Sequence, residues 1–458
     1  MRFAVVGGGI SGLAAAWSLS ARPGAEVTVF EPGRPGGKLV TSVFAGHPVD
    51  EGPDAFLIRT PEATALCAEL GIDDLVPPAA GRTLLWAGGR LRPIPEGLVL
   101  GVPGRLGPVI RSGLLSPAGM LRAGLDLVLP RTAPGADVSV GELVRARFGA
   151  EVTERLVEPL LGGIHAAPVD ELSTAVVAPH VLAAARSSRS LLLGLRRATA
   201  GAPAAGGPVF LAPRGGIGVL GDRLVQALRD RGVAFRSAAA AGVSAIDGGG
   251  VEITGTGPEG PGDRFDGAVV AVPAPAAARL LGPAAPAGLA DIAFTSVAVL
   301  TVAVPRSQWS PPAGFNGFLT TAGEGRLMTA CSFFSNKWPG EGGPGEDSVV
   351  RLSAGRHGDP RVDGLGDGEL SDRLVAELSS AVGAPIRPSA TRLSRWPSSF
   401  PLYRVGHGQA VERMGRELSE STGGRVALAG SSYGGAGIPA CIRSGRAAAE
   451  AVVAAAGG

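Results

Sequence analysis

Val5-Val6-Gly7-Gly8-Gly9-Ile10-Ser11-Gly12 decides the fold of this chain. Phe3 to Val6 is a short apolar run of strand type, and Ile10, Leu13, Ala14 and Trp17 then recur at helical spacing. The glycines therefore fall on the turn from a strand into a helix. There they permit a tight bend, close backbone approach to a pyrophosphate, and close helix–strand packing. The start of the helix offers free N–H donors and a positive dipole end to phosphate oxygens. A second apolar strand, Val27-Thr28-Val29-Phe30, ends in Glu31. It lies about twenty residues beyond the glycines, where a carboxylate can bond a ribose hydroxyl. Together these features predict a βαβ unit that binds an adenine dinucleotide.

Composition sets the surroundings of that unit. At 458 residues the chain is too long for one ordinary domain, so two or three are expected. The 72 glycines and 38 prolines are scattered among periodic apolar segments, which reads as a folded enzyme with many turns. Net charge is +2 and no basic, aromatic-interleaved patch occurs, so a nucleic-acid partner is not expected. Cys67, Cys331 and Cys441 form no C-x-x-C, which fits a reducing compartment and no zinc site. The five histidines are isolated, without metal or triad spacing. The first strand begins at residue 3 and no apolar run is long enough to span a bilayer, so a cytoplasmic protein is expected. Lys38 and Lys337 are the only lysines among 42 basic residues. They stand out, because a compact ammonium is not replaced by arginine's planar fork.

Apolar periodicity predicts helices over Glu62–Leu70, Leu114–Leu129, Val140–Phe148, Val181–Leu195 and Leu220–Arg231. Strands are predicted around Val251–Thr254, in Asp266–Pro273, and over Ser296–Val304. A further apolar run, Arg425–Gly430, precedes a final Ala-rich helix. The helix over Val181–Leu195, with Arg186, Arg189, Arg196 and Arg197 beside it, reads as a solvated outer face; a lipid-facing surface is the alternative.

Two segments follow the ribose-binding acid: Pro32-Gly33-Arg34-Pro35-Gly36-Gly37-Lys38-Leu39 and Val49-Asp50-Glu51-Gly52-Pro53-Asp54-Ala55-Phe56. They resemble flavoproteins of the amine oxidase and porphyrinogen oxidase superfamily, in which such segments lie along the flavin. Glycine suits places where backbone must pass close to a flat ring system. Five further stretches are similar to the porphyrinogen oxidases: Ser139–Glu142, Arg147–Gly149, Leu156–His165, Pro213–Gly216 and Leu428–Ile442. Thr329–Trp338 is similar to the branch found in Gram-positive bacteria.

The resemblance, which runs from end to end, implies an α/β (α+β mixed) fold. It comprises a discontinuous Rossmann-type FAD-binding domain (1–75, 205–285 and 422–458), a β-sheet substrate domain (76–95 and 286–421), and a helical domain (96–204). It implies oxidation of coproporphyrinogen III to coproporphyrin III by molecular oxygen with release of hydrogen peroxide, or the same chemistry on protoporphyrinogen IX. FAD is the implied cofactor. Gly7 to Gly12 would meet its pyrophosphate, and Glu31 its ribose. Lys38, Gly52, Pro53, Asp54 and Ala55 would meet the ring region. Val243 would offer a backbone contact to adenine, and Trp396 would flank the ring. Ser431, Ala436, Gly437 and Ile438 would begin the last helix beneath it. Pro32, directly after Glu31, shortens or stiffens the ribose loop.

Arg82 would meet a substrate carboxylate, with Arg92 and Lys337 as further candidates. A structural role is the favoured reading of His165, and no catalytic base is assigned, because the cofactor carries the redox step. Peripheral membrane contact and transient docking of heme-pathway enzymes stay open. Other readings are a flavin amine oxidase, a carotenoid desaturase, and a GDP-dissociation-inhibitor-like binding scaffold. Few aromatic residues argue against the first. The need for a membrane-docking surface argues against the second, and the intact glycine turn argues against the third.

Overall fold

The computed structural model describes residues 1–131, 134–200, 207–246, 249–255, 262–340 and 346–457. Its organising element is a five-stranded parallel sheet in the order Ala234–Arg236, Glu26–Phe30, Arg2–Val6, Gly267–Val270, Val426–Leu428. Val5 is in register with Val29 on one side and Val269 on the other. Three stretches far apart in the chain thus share one sheet, and all three centre positions are buried on both faces. The expected boundary near residue 205 lies outside the described residues.

One face of this sheet is covered by the helices Ile10–Ser20, Gly218–Asp230 and Ile438–Gly457. The first and last of these pack backbone to backbone: a side chain at Gly445 would overlap the carbonyl of Ser11. The other face meets a small antiparallel sheet of Gly242–Ala245, Val251–Thr254 and Asp263–Phe265.

A second sheet holds seven strands, in the order Ala390–Pro401, Phe294–Pro305, Asp347–Ala354, Met328–Ser332, Phe315–Thr320, Arg82–Trp86, Leu91–Pro93. Strand alternation divides its faces. Ala298, Leu300, Val302, Val350 and Leu352 form a core with Leu370, Leu374 and Leu378 of the helix Asp367–Val382. Thr301 and Arg351 point to the opposite side.

Helices fill most of residues 106–200. The expected Leu114–Leu129 helix is shorter, Pro117–Gly124, followed by a 3₁₀ turn over Leu125–Leu127. Ser116 sets its start, capping the amide of Gly119, with Pro117 at the first position. The expected Val181–Leu195 helix is two helices, Pro179–Ser187 and Leu191–Ala200. The break has a clear cause. Ser190 accepts from the amide of Leu193, and the buried Asp126 carboxylate takes the free amides of Leu191 and Leu192. Asp126 also receives Arg147 Nε at 2.5 Å. Arg186 and Arg189, exposed on this layer, donate to the carbonyls of Ala136 and Leu127.

Thr153–Gly162 is a ten-residue π-helix with Pro159 inside it. Proline has no N–H and crowds the carbonyl four residues back, so a wider helical turn accommodates it. Among the described residues no helix is long and apolar enough to cross a membrane.

Candidate functional site

The site is built first from backbone. Gly7 has φ +106°, and a Cβ there would sit 2.7 Å from the carbonyl of Ala271. A Cβ on Gly12 would overlap the Gly7 carbonyl, while Gly9 has no neighbouring atom within 4 Å and faces open space. Two positions are thus glycine because the fold is tight, and one adjoins an opening. Glu31 closes the same turn: its carboxylate accepts from Gly8 N at 2.8 Å and Gly33 N at 2.9 Å. Gly36 N donates to the Gly8 carbonyl at 2.8 Å, so the segment after Pro32 lies directly on the glycine turn.

Beside this turn is a cavity of about 480 Å³, lined by Gly7, Phe30, Glu31, Pro32, Ala239–Ala241, Val272 and Arg279 among others. Ile10 and Ser11 open the adjoining helix. Val243 does not line the cavity. It lies further along, paired with Ile253 and with its side chain buried; Ala239–Ala241 form the wall instead.

The other end of the cleft gathers segments from across the chain. A Cβ on Gly52 would lie 2.7 Å from the Lys38 carbonyl and 3.6 Å from the Trp396 ring. Trp396 Nε1 donates to the Glu51 carbonyl at 3.0 Å. Lys38 reaches the Ser399 carbonyl at 3.4 Å, and the protein around it lowers its ammonium pKa by desolvation. Gly430, Gly435 and Gly437 all have positive φ, and nothing lies within 4 Å of where Cβ would be on Gly430 or Gly437. Ala436, Gly437 and Ile438 do stand at the start of the long C-terminal helix. Ser431 instead opens a separate short turn, Ser431–Gly434, because the positive-φ glycines at 435 and 437 interrupt the helix. Tyr403 Oη donates to the Ser431 carbonyl at 2.7 Å, fixing that turn from the large sheet's side.

Asp54 and Lys337 are partners of each other. Lys337 Nζ donates to both Asp54 oxygens at 2.8 and 2.9 Å, and Trp338 Nε1 approaches at 3.4 Å. Arg351 lies 3.5 Å from Asp54 and donates to the Gly52 carbonyl at 2.5 Å. Burial works to raise the Asp54 carboxyl; Lys337 and Arg351 overcome it and hold the group below the usual range. These cations clamp the loop that carries Gly52, Pro53, Asp54 and Ala55 to the large sheet.

The remaining sequence candidates lie elsewhere. Arg82 is exposed at a strand start and stacks over the Phe315 ring at 4.8 Å. Alternation puts it on the face of Leu84 and Trp86, away from Arg351. Arg92 donates to the Gly113 carbonyl at the sheet's far edge. His165 packs edge-on to Tyr403 with centroids 5.8 Å apart; burial pushes its imidazole pKa down to about 4, so it is neutral at pH 7. Among the described residues no cluster of His, Cys, Asp and Glu suits a metal ion.

Sequence reasoning missed one feature of the sheet. Arg392, Thr301, Arg351 and Ser332 form a lateral row across four adjacent strands, in register pair by pair. Each contributes a buried polar atom without a partner: Arg392 Nε, Thr301 Oγ1, Arg351 Nε and Ser332 Oγ. The other nitrogens of the two arginines bond the segment that covers this face, Arg392 to Ser42 and Val49 and Arg351 to Gly52. The signal was present as polar residues interrupting apolar strands, in Leu300-Thr301-Val302 and Val350-Arg351-Leu352.

This cleft suits an elongated, flat, phosphate-bearing group. One end is a glycine turn with a carboxylate and a cavity. The other is an exposed glycine backbone, a lysine, an indole and a helix start. What these groups offer is binding, orientation and electrostatics around a cofactor.

Comparison with known proteins agrees. Residues 10–453 match the family of flavin containing amine oxidoreductases. The coproporphyrinogen III oxidase of Mycobacterium leprae is 37% identical, over 98% of this chain and 98% of its own. That of Bacillus subtilis is 31% identical, over 97% and 96%. A solved structure from Exiguobacterium sp. 255-15 that carries a protoporphyrinogen oxidase name superposes with a TM-score of 0.89 at 29% identity, covering 98% of each chain. The chain belongs to the flavin containing amine oxidoreductase family.

Proposed function

We propose that this protein oxidises coproporphyrinogen III to coproporphyrin III with FAD and molecular oxygen. The observation that carries this reading is similarity over nearly the whole chain to coproporphyrinogen III oxidases from several bacteria. Six electrons leave the macrocycle in three two-electron steps, so three O₂ become three H₂O₂. FAD, when bound, supplies the two-electron acceptor and the route of those electrons to oxygen. Gly7–Gly12 and the first helix would hold its pyrophosphate, and Glu31 and Pro32 its ribose end. Lys38, Gly52–Ala55, Trp396 and Ala436–Ile438 would hold its ring region.

The protein's own task is then placement. Asp54, held by Lys337 and Arg351, fixes the Gly52–Ala55 loop against the large sheet. The start of the C-terminal helix places a positive dipole end at the cleft, favouring negative charge that develops there. Product aromaticity drives the reaction, so the protein need not supply a strong nucleophile.

Protein reconstituted with FAD should turn over coproporphyrinogen III in air, with porphyrin fluorescence rising and peroxide formed in a threefold molar ratio to porphyrin. Faster oxidation of protoporphyrinogen IX would reassign the substrate. No oxidation of either porphyrinogen by the yellow protein would overturn the reading.

A further inference from the structure

A second cavity, of about 190 Å³, lies where the large sheet ends beside the π-helix. Its lining is cationic: Arg326, Arg356 and Arg361 face a single carboxylate, Asp359, with hydroxyls from Thr321 and Thr329. Two of the three arginines are spent. Arg361 holds Asp359 through Nε and Nη2, at 2.6 to 3.0 Å, and also donates to the Gly325 carbonyl. Arg326 donates to the Glu377 carbonyl and Ser380 hydroxyl and stacks 4.5 Å over the Trp86 ring.

Arg356 is different. Its side chain is 17% exposed, and among the described residues its one ion-pair partner is Glu158 of the π-helix, at 3.2 Å. Glu158 also accepts from the amide of Val169 at 2.9 Å, and burial pushes its carboxyl up toward the neutral form. A guanidinium has five N–H donors in a planar fork. Asp359 feels the Arg356 charge across the cavity but is held by Arg361, so one short contact, to a carboxylate already shared with a backbone amide, leaves most of the Arg356 fork to the cavity.

The position relative to the cleft is fixed by strand register. Gly355, the residue before Arg356, lies against the backbone of Val297: a Cβ on it would sit 2.8 Å from Val297 Cα. Val297 pairs directly with Trp396. Two strand spacings, roughly 10 Å, therefore separate the backbone of Trp396 from that of Gly355, where this cavity begins.

We propose that Arg356 recognises a carboxylate arm of the substrate, and that this cavity is where a polycarboxylate macrocycle is told from a less acidic one. The inference rests on the porphyrinogen reading above. The carboxylate meets the guanidinium fork with two parallel hydrogen bonds, and Glu158 serves as the counter-ion that keeps Arg356 extended when the site is empty of substrate.

The test uses the FAD-loaded enzyme and two ligands with the same macrocycle, one with four carboxylates and one with none: coproporphyrin III and its tetramethyl ester, with binding read by quenching of protein fluorescence. The parent should bind the acid at least tenfold more tightly than the ester. R356M should weaken the acid by about ten- to a hundredfold, leave the ester unchanged, and raise KM for coproporphyrinogen III far more than it lowers kcat. R356K carries the test should R356M fail to fold. It keeps the charge beside Glu158 but loses the fork, so the acid should weaken several-fold and the ester not at all. An acid-to-ester ratio in either folded variant equal to the parent's overturns the role of Arg356 while leaving the functional reading intact. A parent that binds neither ligand and oxidises no porphyrinogen overturns both.

Discussion

Asp50 shows how a single buried carboxyl makes the joint between two distant segments depend on pH. It accepts from Thr41 Oγ1 at 2.5 Å and from the amide of Ile217 at 2.9 Å, at the start of the helix Gly218–Asp230. Burial outweighs these bonds and raises its pKa from 3.8 to about 6. A folded-state pKa above the unfolded value means the folded protein binds the proton more tightly. The stability this gives is full below about pH 4 and is lost as pH rises through 6. A shift of that size corresponds to roughly 3 kcal/mol. Asp50→Asn keeps an acceptor for both donors and removes the titration, so its advantage in melting temperature over the parent should grow from pH 4 to pH 7. Parallel profiles across that range would show that Asp50 does not titrate in this window. At this scale the sequence was legible where local geometry rests on neighbours in the chain: Gly7 and Gly12 do form the tight strand-to-helix turn, and Glu31 does close it. It was illegible for Lys337, whose partner Asp54 is 283 residues away and turns a candidate substrate cation into a loop clamp.

Helices and strands were read well where one periodic pattern sufficed: Val140–Phe148 and Phe294–Pro305 match their apolar repeats. They were misread where a polar contact from elsewhere cut a continuous pattern. Apolar residues recur on both sides of Arg186–Ser190 in Val181–Leu195 and read as one helix, yet Asp126 reaches in from 65 and 66 residues away to take the amides of Leu191 and Leu192 that start a new one. The same carboxylate faces Arg147 Nε in a fully buried pair, with the side chains 0% and 3% exposed. Removing one partner of such a pair costs about 3–5 kcal/mol, because the other charge stays buried. Asp126→Ala should therefore loosen the helical layer alone. Hydrogen exchange at Leu191–Ala200 should accelerate by orders of magnitude, while amides of Arg2–Val6 and Gly267–Val270 keep their protection. Uniform acceleration through both regions would mean that the helical layer and the parallel sheet unfold as one unit.

Across the whole molecule, the decisive contact is the one no local pattern reveals. The parallel sheet draws strands from residues 2–30, 234–270 and 426–428, and the cleft is completed only when the last helix lies on the first. Gly445 permits that approach, since any side chain there would press on the Ser11 carbonyl and come 3.1 Å from the Ala15 amide nitrogen. Ser11 and the start of the C-terminal helix at Ile438 meet side by side, with Ser11 bonding Cys441 one turn into that helix, so a small displacement at Gly445 separates groups meant to hold one ligand. A ligand that touches both chain ends also stabilises the fold by mass action, by about 2.7 kcal/mol at a hundredfold excess over Kd. Gly445→Val should accordingly weaken FAD at least tenfold, by flavin fluorescence or ultrafiltration. Its melting temperature should approach the parent's only as FAD is raised well above the new Kd. The large sheet, with its own core around Leu300 and Leu352, should keep its near-ultraviolet signal in the variant. If the valine variant retained parental affinity for FAD, the two chain ends could not be acting as joint walls of one cofactor site, and the cleft would have to be closed by the sheet side alone.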